Sequence, residues 1–162
     1  MIIFKLLKPK VIEIISPMTG KAISITEVPD PVFAEKMIGD GVAIEPTDGL
    51  VVSPCKGKVV QIFPSNHAIG IEIKQGVDLL VHLGIDTVEL NGQGFKRLVE
   101  QGQEVKVGTP LIKMDLGIIA GEGKSIISPI IITTMDKIRK MDTTTGSVRA
   151  GKDVIMKIKI KQ

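Results

Sequence analysis

The sequence predicts an all-β fold: an antiparallel sandwich or barrel with only short helical turns. Three observations carry this reading. Glycine and proline punctuate the 162 residues closely, with 17 Gly and 9 Pro. Short β-branched runs fill the intervals between them. Only two segments suggest a helical turn, and neither is long enough to be a main architectural element.

In chain order the candidate strands are VIEII (11–15), GVAIEP (41–46), LVVSP (50–54), KVVQIF (58–63) and IGIEI (69–73). DLLVHLGI (78–85), PLIKM (110–114), SIISPIIIT (125–133) and VIMKIKI (154–160) complete the set. The helical candidates are VFAEKM (32–37) and GFKRLVEQ (94–101). A short N-terminal tail is expected at about residues 1–10, and the whole chain, 1–162, reads as a single domain without a linker.

A weak internal repeat is present. SPMTGKAISI (16–25) matches SPCKGKVVQI (53–62) at Ser, Pro, Gly, Lys and the final Ile. An apolar run ending in Ile-Glu and a glycine turn follow each copy, VAIEPTDG (42–49) and IGIEIKQG (69–76), with ten extra residues in the first interval. Two such β units would pack as pseudo-symmetric halves.

Composition narrows the function. Apolar residues make up 43% of the chain, with four Phe, no Trp and no Tyr, so the core is aliphatic. A formal charge of +3 from 21 basic and 18 acidic residues, without stacking aromatics, argues against nucleic-acid binding. The start, MIIFKLLKPK, is too short and too lysine-rich for a signal core, and no run approaches the ~18 residues that span a bilayer. A cytoplasmic protein without membrane insertion is expected. Cys55 is the one cysteine, with no sequence neighbour to activate it, and reads as structural.

The two histidines, His67 and His82, are the residues that need an account. In DLLVHLGI, Leu79, Val81, Leu83 and Ile85 share the core face of a strand. His82 is on the opposite face with Leu80 and Gly84. A hairpin closed by Lys74–Gln75 sets His67 opposite His82; a loop from Lys74 to Val77 sets it opposite Gly84. Both even-length loops put the rings on one face, and an odd loop would separate them. The same parity turns Ile69, Ile71 and Ile73 toward the histidines, unless a bulge near His67 resets the alternation. Two facing imidazoles can bind a metal with a third ligand, act as an acid–base pair, or divide the work of nucleophile and stabiliser.

GVDLLVHLGIDTVELNGQGF (76–95) resembles the active-site pattern of the glucose-class enzyme IIA proteins of the bacterial phosphoenolpyruvate-dependent sugar phosphotransferase system. Gly76, Leu79–Leu80–Val81, His82, Leu83, Gly84, Ile85, Thr87 and Val88 occupy its fixed positions. VPDPVFAEKMIGDGVAI (28–44), FPSNHAIGI (63–71), VKVGTPLIKMDL (105–116) and SPIIITTMD (128–136) extend the resemblance over nearly the whole chain. It implies a phosphocarrier. His82 would take a phosphoryl group from the histidine-phosphocarrier protein and pass it to the cysteine of a glucose-type permease IIB domain. His67 would be the second active-site histidine, with Ser65 as its hydroxyl partner and the Gly84 carbonyl orienting His82. Asp30 and Asp86 would stand at the rim. Val32, Phe33, Met37, Ile38, Phe63 and Leu80 would form the apolar partner surface. Leu80, Pro31 and Pro64 depart from the family's usual residues. No cofactor or metal is implied, and regulatory protein targets are a further implication.

Two rival classes fit less well. A lipoyl- or biotinyl-carrier module would use Lys113 of VKVGTPLIKM, but the chain is about twice that length and Asp115 follows Met114. A zinc peptidase would need more histidines than two.

Overall fold

The described strands, in residues 10–162 of this computed structural model, all pair antiparallel. They are β1 (Val11–Ile15), β2 (Gly20–Ser24), β3 (Asp40–Pro46), β4 (Leu50–Val52), β5 (Gly57–Ile62), β6 (Ala68–Glu72) and β7 (Asp78–His82). The second half has β8 (Phe95–Arg97), β9 (Glu104–Val105), β10 (Pro110–Met114), β11 (Ser128–Ile132), β12 (Ile138–Thr143), β13 (Gly146–Val148) and β14 (Val154–Ile160). Two short helices, α1 (Pro31–Ala34) and α2 (Leu116–Gly121), complete the regular structure of the described residues with a few 3-10 turns. The all-β expectation holds. All of the tail expected at about 1–10 except Lys10 lies outside the described residues.

One eight-stranded sheet runs β13-β2-β3-β11-β7-β6-β5-β9, and two three-stranded sheets run β1-β14-β12 and β4-β10-β8. Exchanging β13 with β9, β2 with β5, β3 with β6 and β11 with β7 reverses the long order onto itself. The same operation exchanges the two small sheets. Several backbone bonds repeat the symmetry. Ile15 N–H donates to the Pro54 carbonyl and Val52 N–H to the Pro17 carbonyl, each at 2.9 Å. Ser16 Oγ donates to Met18 O at 2.6 Å, and Ser53 Oγ to Cys55 O at 2.8 Å. Gly20 and Gly57 have the same cause: a Cβ at either would strike the facing carbonyl, Glu45 O or Glu72 O. The duplication suggested by the two S-P-x-x-G-K stretches therefore extends to the architecture. It includes a further pair that sequence reading missed, VKVGTPLI (105–112) and VRAGKDVI (148–155), whose Gly108 and Gly151 amides donate to Ser53 O and Ser16 O at 3.0 and 2.9 Å.

The halves differ where the site lies. The β2–β3 connection covers residues 25–39, whereas the β5–β6 connection covers only 63–67. The longer one holds α1 and covers the outer face of the central strands. Alternation in those strands produces two cores. Leu79, Val81, Ile130 and Ile132 face the main aliphatic core. Ile131 and Leu80 face outward into a smaller cluster with Ile25, Val28, Phe33 and Ile85.

Two expectations about helices need correction. Residues 94–101 are not helical: Gly92 and Gly94 take φ of 91° and 89°, and Phe95–Arg97 pairs with Ile112–Met114 as β8. Strand pairing and the packing of Phe95 on the core outweigh the local helical pattern. Helix α2 was not foreseen; Asp115 Oδ1 starts it by accepting from Ile118 N–H at 3.0 Å. VFAEKM does contain a helical turn, although α1 begins at Pro31 and ends at Ala34.

Candidate active site

His82 is the last residue of β7 and its ring is half-buried on the outer face. Its Nδ1 lies 2.8 Å from the Gly84 carbonyl oxygen. A carbonyl only accepts, so Nδ1 carries the proton and the lone pair is on Nε2. The chain turns back sharply enough for this bond because Gly84 takes φ of +78°, a region costly for other residues. A Cβ at Gly84 would lie 2.6 Å from Thr87 Cγ2 and 2.7 Å from Ser125 O. Leu83 and Ile85 anchor the two sides of the turn in the main and the smaller core. Thr87 Oγ1 donates to Leu83 O at 2.6 Å and closes it.

The hairpin that brings His67 near is not the one expected. Its register pairs Ala68 with His82 and Glu72 with Asp78, and Ile73 N–H donates to Val77 O at 2.8 Å. The loop is therefore odd in length, Lys74–Gly76, with Gln75 and Gly76 left-handed at φ of 61° and 73°. This parity buries Ile69 and Ile71 opposite Val81 and Leu79, which removes their conflict with the histidine face. Regular alternation would then send His67 into the core. It escapes because it precedes β6, in the turn 63–67, where Asn66 takes φ of 57°. A break beside His67 resets the alternation, and the two imidazoles meet edge to face with centroids 5.4 Å apart.

His67 is only 5% exposed, and its Nδ1 is buried with no hydrogen-bond partner among the described residues. The bond expected from Ser65 is not formed, although Ser65 shares the turn with the ring. Phe63 packs edge-on against His67 at 5.4 Å, and Phe33 lies tilted against His82 at 5.0 Å. Phe33 is thus a buried wall of the site and not a surface contact, at 5% exposure. Val32, Met37 and Ile38 are exposed beside it. Leu80 is half-buried, next to His82 on the same face.

The surroundings of both imidazoles favour the neutral form. Burial pushes the His67 pKa below its ordinary value, and the neighbouring His82 lowers it further. Burial also lowers His82; the Gly84 carbonyl, Asp30 and Asp86 oppose that shift without reversing it. Asp30 has a second task, since its Oδ1 caps α1 by accepting from Val32 N–H at 2.9 Å. Asp86 is exposed and left-handed at φ of 58°, and its side chain makes no capping bond to the 3-10 turn it precedes.

Cys55 is buried, and burial pushes its thiol up to about 12, in keeping with a structural role. Lys113 lies in mid-strand between Leu50 and Lys96. Among the described residues no group of three or more His, Cys, Asp or Glu is spaced to hold a metal ion. No described helix is long and apolar enough to cross a membrane.

A neutral imidazole with Nδ1 tied to a backbone carbonyl and a second ring at its edge fits a nucleophile and a stabiliser. The family model for the phosphoenolpyruvate-dependent sugar phosphotransferase system, EIIA 1, matches residues 12–138. The chain belongs to this family. This EIIA chain is 54% identical over 128 residues to the glucose-specific EIIA component of the phosphotransferase system from Staphylococcus epidermidis, covering 79% of the chain and 77% of that relative. It is 48% identical over 149 residues to the Bacillus cereus glucose-specific EIIA component, covering 91% of the chain and 90% of that relative. In three dimensions it is similar to glucose permease IIA from Mycoplasma capricolum. That likeness has a TM-score of 0.86 and 41% identity, over 91% of this chain and 96% of that one. The EIIA chain is thus a phosphotransferase component, as the resemblance implied.

Proposed function

We propose that His82 Nε2 of this EIIA chain accepts the phosphoryl group from the phosphohistidine of the histidine-phosphocarrier protein. The group then passes to the cysteine of the IIB domain of a glucose-type permease. The bond from His82 Nδ1 to Gly84 O carries this reading, because it leaves Nε2 as the attacking atom. In the first step the Nε2 lone pair forms the new N–P bond while the donor's N–P bond breaks and returns its electron pair to the donor ring. In the second, the cysteine thiolate attacks phosphorus and the His82 N–P bond breaks. Little is required of the protein beyond in-line placement and charge stabilisation.

His67 donates a hydrogen bond to the phosphoryl oxygens, and its own burial excludes water from the phosphohistidine. Val32, Met37, Ile38, Phe63 and Leu80 receive the partner proteins, and Asp30 and Asp86 pair with cationic groups on them. Phe33 contributes from below by holding His82. Residues 1–162 act as one EIIA domain in the cytoplasm.

The test is incubation with labelled phosphoenolpyruvate and the two upstream carriers. Wild type should take up acid-labile phosphate and His82→Gln none, because an amide nitrogen is no nucleophile. Label retained by His82→Gln would overturn the assignment.

A further inference from the structure

The loop that aims His82 is held from outside as well as by its own Thr87–Leu83 bond. The peptide between Leu83 and Gly84 directs its N–H at Ser128 Oγ, at 3.1 Å. The next peptide carries the carbonyl that accepts from His82, and its N–H, on Ile85, donates to Ser125 O at 3.0 Å. Lys124 reaches Glu89 beyond the turn at 2.6 Å. Residues 124–128 thus hold the histidine loop at two points and the turn after it at a third, and of the two that touch the peptides around Gly84 only Ser128 uses a side chain.

The direction of each bond at Ser128 is unambiguous. Gly84 N–H can only donate, so the hydroxyl accepts there; the hydroxyl proton goes to Ile126 O at 2.9 Å. The side chain is fully buried. Pseudo-symmetry makes its identity conspicuous. Ser128 stands opposite Ile44 as Leu79 stands opposite Ile71, so a hydroxyl occupies the place where the mate strand buries a leucine. Burying a hydroxyl at a leucine position costs core packing unless its hydrogen bonds are needed.

We infer that Ser128 is a positioning residue for phosphoryl transfer: by holding the Gly84 amide it keeps the Gly84 carbonyl on His82 Nδ1 and so keeps Nε2 unprotonated. This rests on His82 being the nucleophile. A neutral imidazole free in water favours the opposite form, with the proton on Nε2, which has no lone pair to attack with. The carbonyl must therefore be held in place for the reactive tautomer to persist, and the flexible glycine backbone does not hold it alone.

The experiment uses the full-length protein labelled with 15N. Long-range imidazole spectra report which His82 nitrogen carries the proton, and rapid quench reports uptake from the phosphorylated carrier. In wild type the proton is on Nδ1. In Ser128→Ala the Nε2-protonated form should rise and the uptake rate fall about tenfold, with KM for the carrier unchanged because the docking surface is intact. Ser128→Thr, which retains the hydroxyl, should keep the wild-type tautomer. If Ser128→Ala does not fold, Ser128→Cys is read in its place with the same expectations, since its thiol fills the site but accepts weakly. An unchanged tautomer and rate in the folded Ala or Cys variant, or a Thr variant as impaired as either, would overturn the inference. If wild type carries its label elsewhere than His82, the nucleophile assignment fails, while the spectra still decide whether Ser128 sets the tautomer.

Discussion

Replacing Gly84 by alanine loads one atom onto the point where the fold and the chemistry meet. The left-handed backbone, φ +78°, costs an alanine about 1–2 kcal/mol. The new Cβ would also lie 2.6 Å from Thr87 Cγ2 and 2.7 Å from Ser125 O, closer than such contacts occur. One obstacle is a side-chain methyl, but the other is backbone, so the turn itself must shift. A total of about 2–4 kcal/mol of destabilisation follows. At this chain length each kcal/mol moves the melting temperature by about 2–4 °C, which predicts a fall of roughly 4–16 °C. The shift also carries the Gly84 carbonyl away from His82 Nδ1, so phosphoryl uptake should fall more than tenfold even well below the melting point. Calorimetry and rapid quench measure the two losses. Thr87→Ser removes the methyl contact alone, so in the double variant it should recover part of the stability and none of the obstruction by Ser125 O. A Gly84→Ala protein that melts with wild type and accepts phosphate at the wild-type rate would refute the account of the turn.

His67→Gln should still accept phosphate but should slow transfer onward, since a donor to the moving phosphoryl charge is gone; ~2–4 kcal/mol of transition-state stabilisation corresponds to a hundredfold or so, read by rapid quench of each half-reaction. Burial lowers the pKa of both histidines, so uptake should stay constant as pH falls through 6.5 and decline only below it, and Asp86→Asn should move that decline to still lower pH by removing a charge that raises His82. The same shifts set stability: the unfolded rings take up protons first, near 6.5, so melting temperatures should be highest above that pH and fall as pH drops below it, less steeply in His67→Gln. Cys55, with its buried thiol pushed up to about 12, should resist an aromatic disulfide reagent in the native protein and react at once in denaturant; rapid native labelling would contradict its burial.

Much of this protein was legible in the linear order of its residues. Gly and Pro spacing with β-branched runs identifies the strands: PLIKM and VIMKIKI match β10 and β14 residue for residue. The repeated S-P-x-x-G-K foreshadows a two-fold architecture because both copies make the same turn, with a buried serine bonding the carbonyl two residues on. Alternation places Leu79 and Val81 inside and His82 outside, and the His-x-Gly spacing brings the imidazole to the carbonyl. These are local consequences of side-chain period and backbone reach.

The rest was decided by long-range packing. Hairpin register turns on whether the loop holds two, three or four residues, and a change of one flips every side chain to the other face. Only the burial of Ile69 and Ile71 opposite Val81 and Leu79 selects the odd loop, and only the break at Asn66 returns His67 to His82. Residues 94–101 carry a helical pattern, yet β10 supplies a pairing partner that no local signal reveals. Phe33 reads as a surface contact by position, but the Ile131 and Leu80 face of the central strands draws it under the site. Ser128 lies 44 residues from the glycine it holds. Sequence periodicity specifies which face of a strand is apolar; which distant strand or loop covers that face depends on the summed burial of the whole chain.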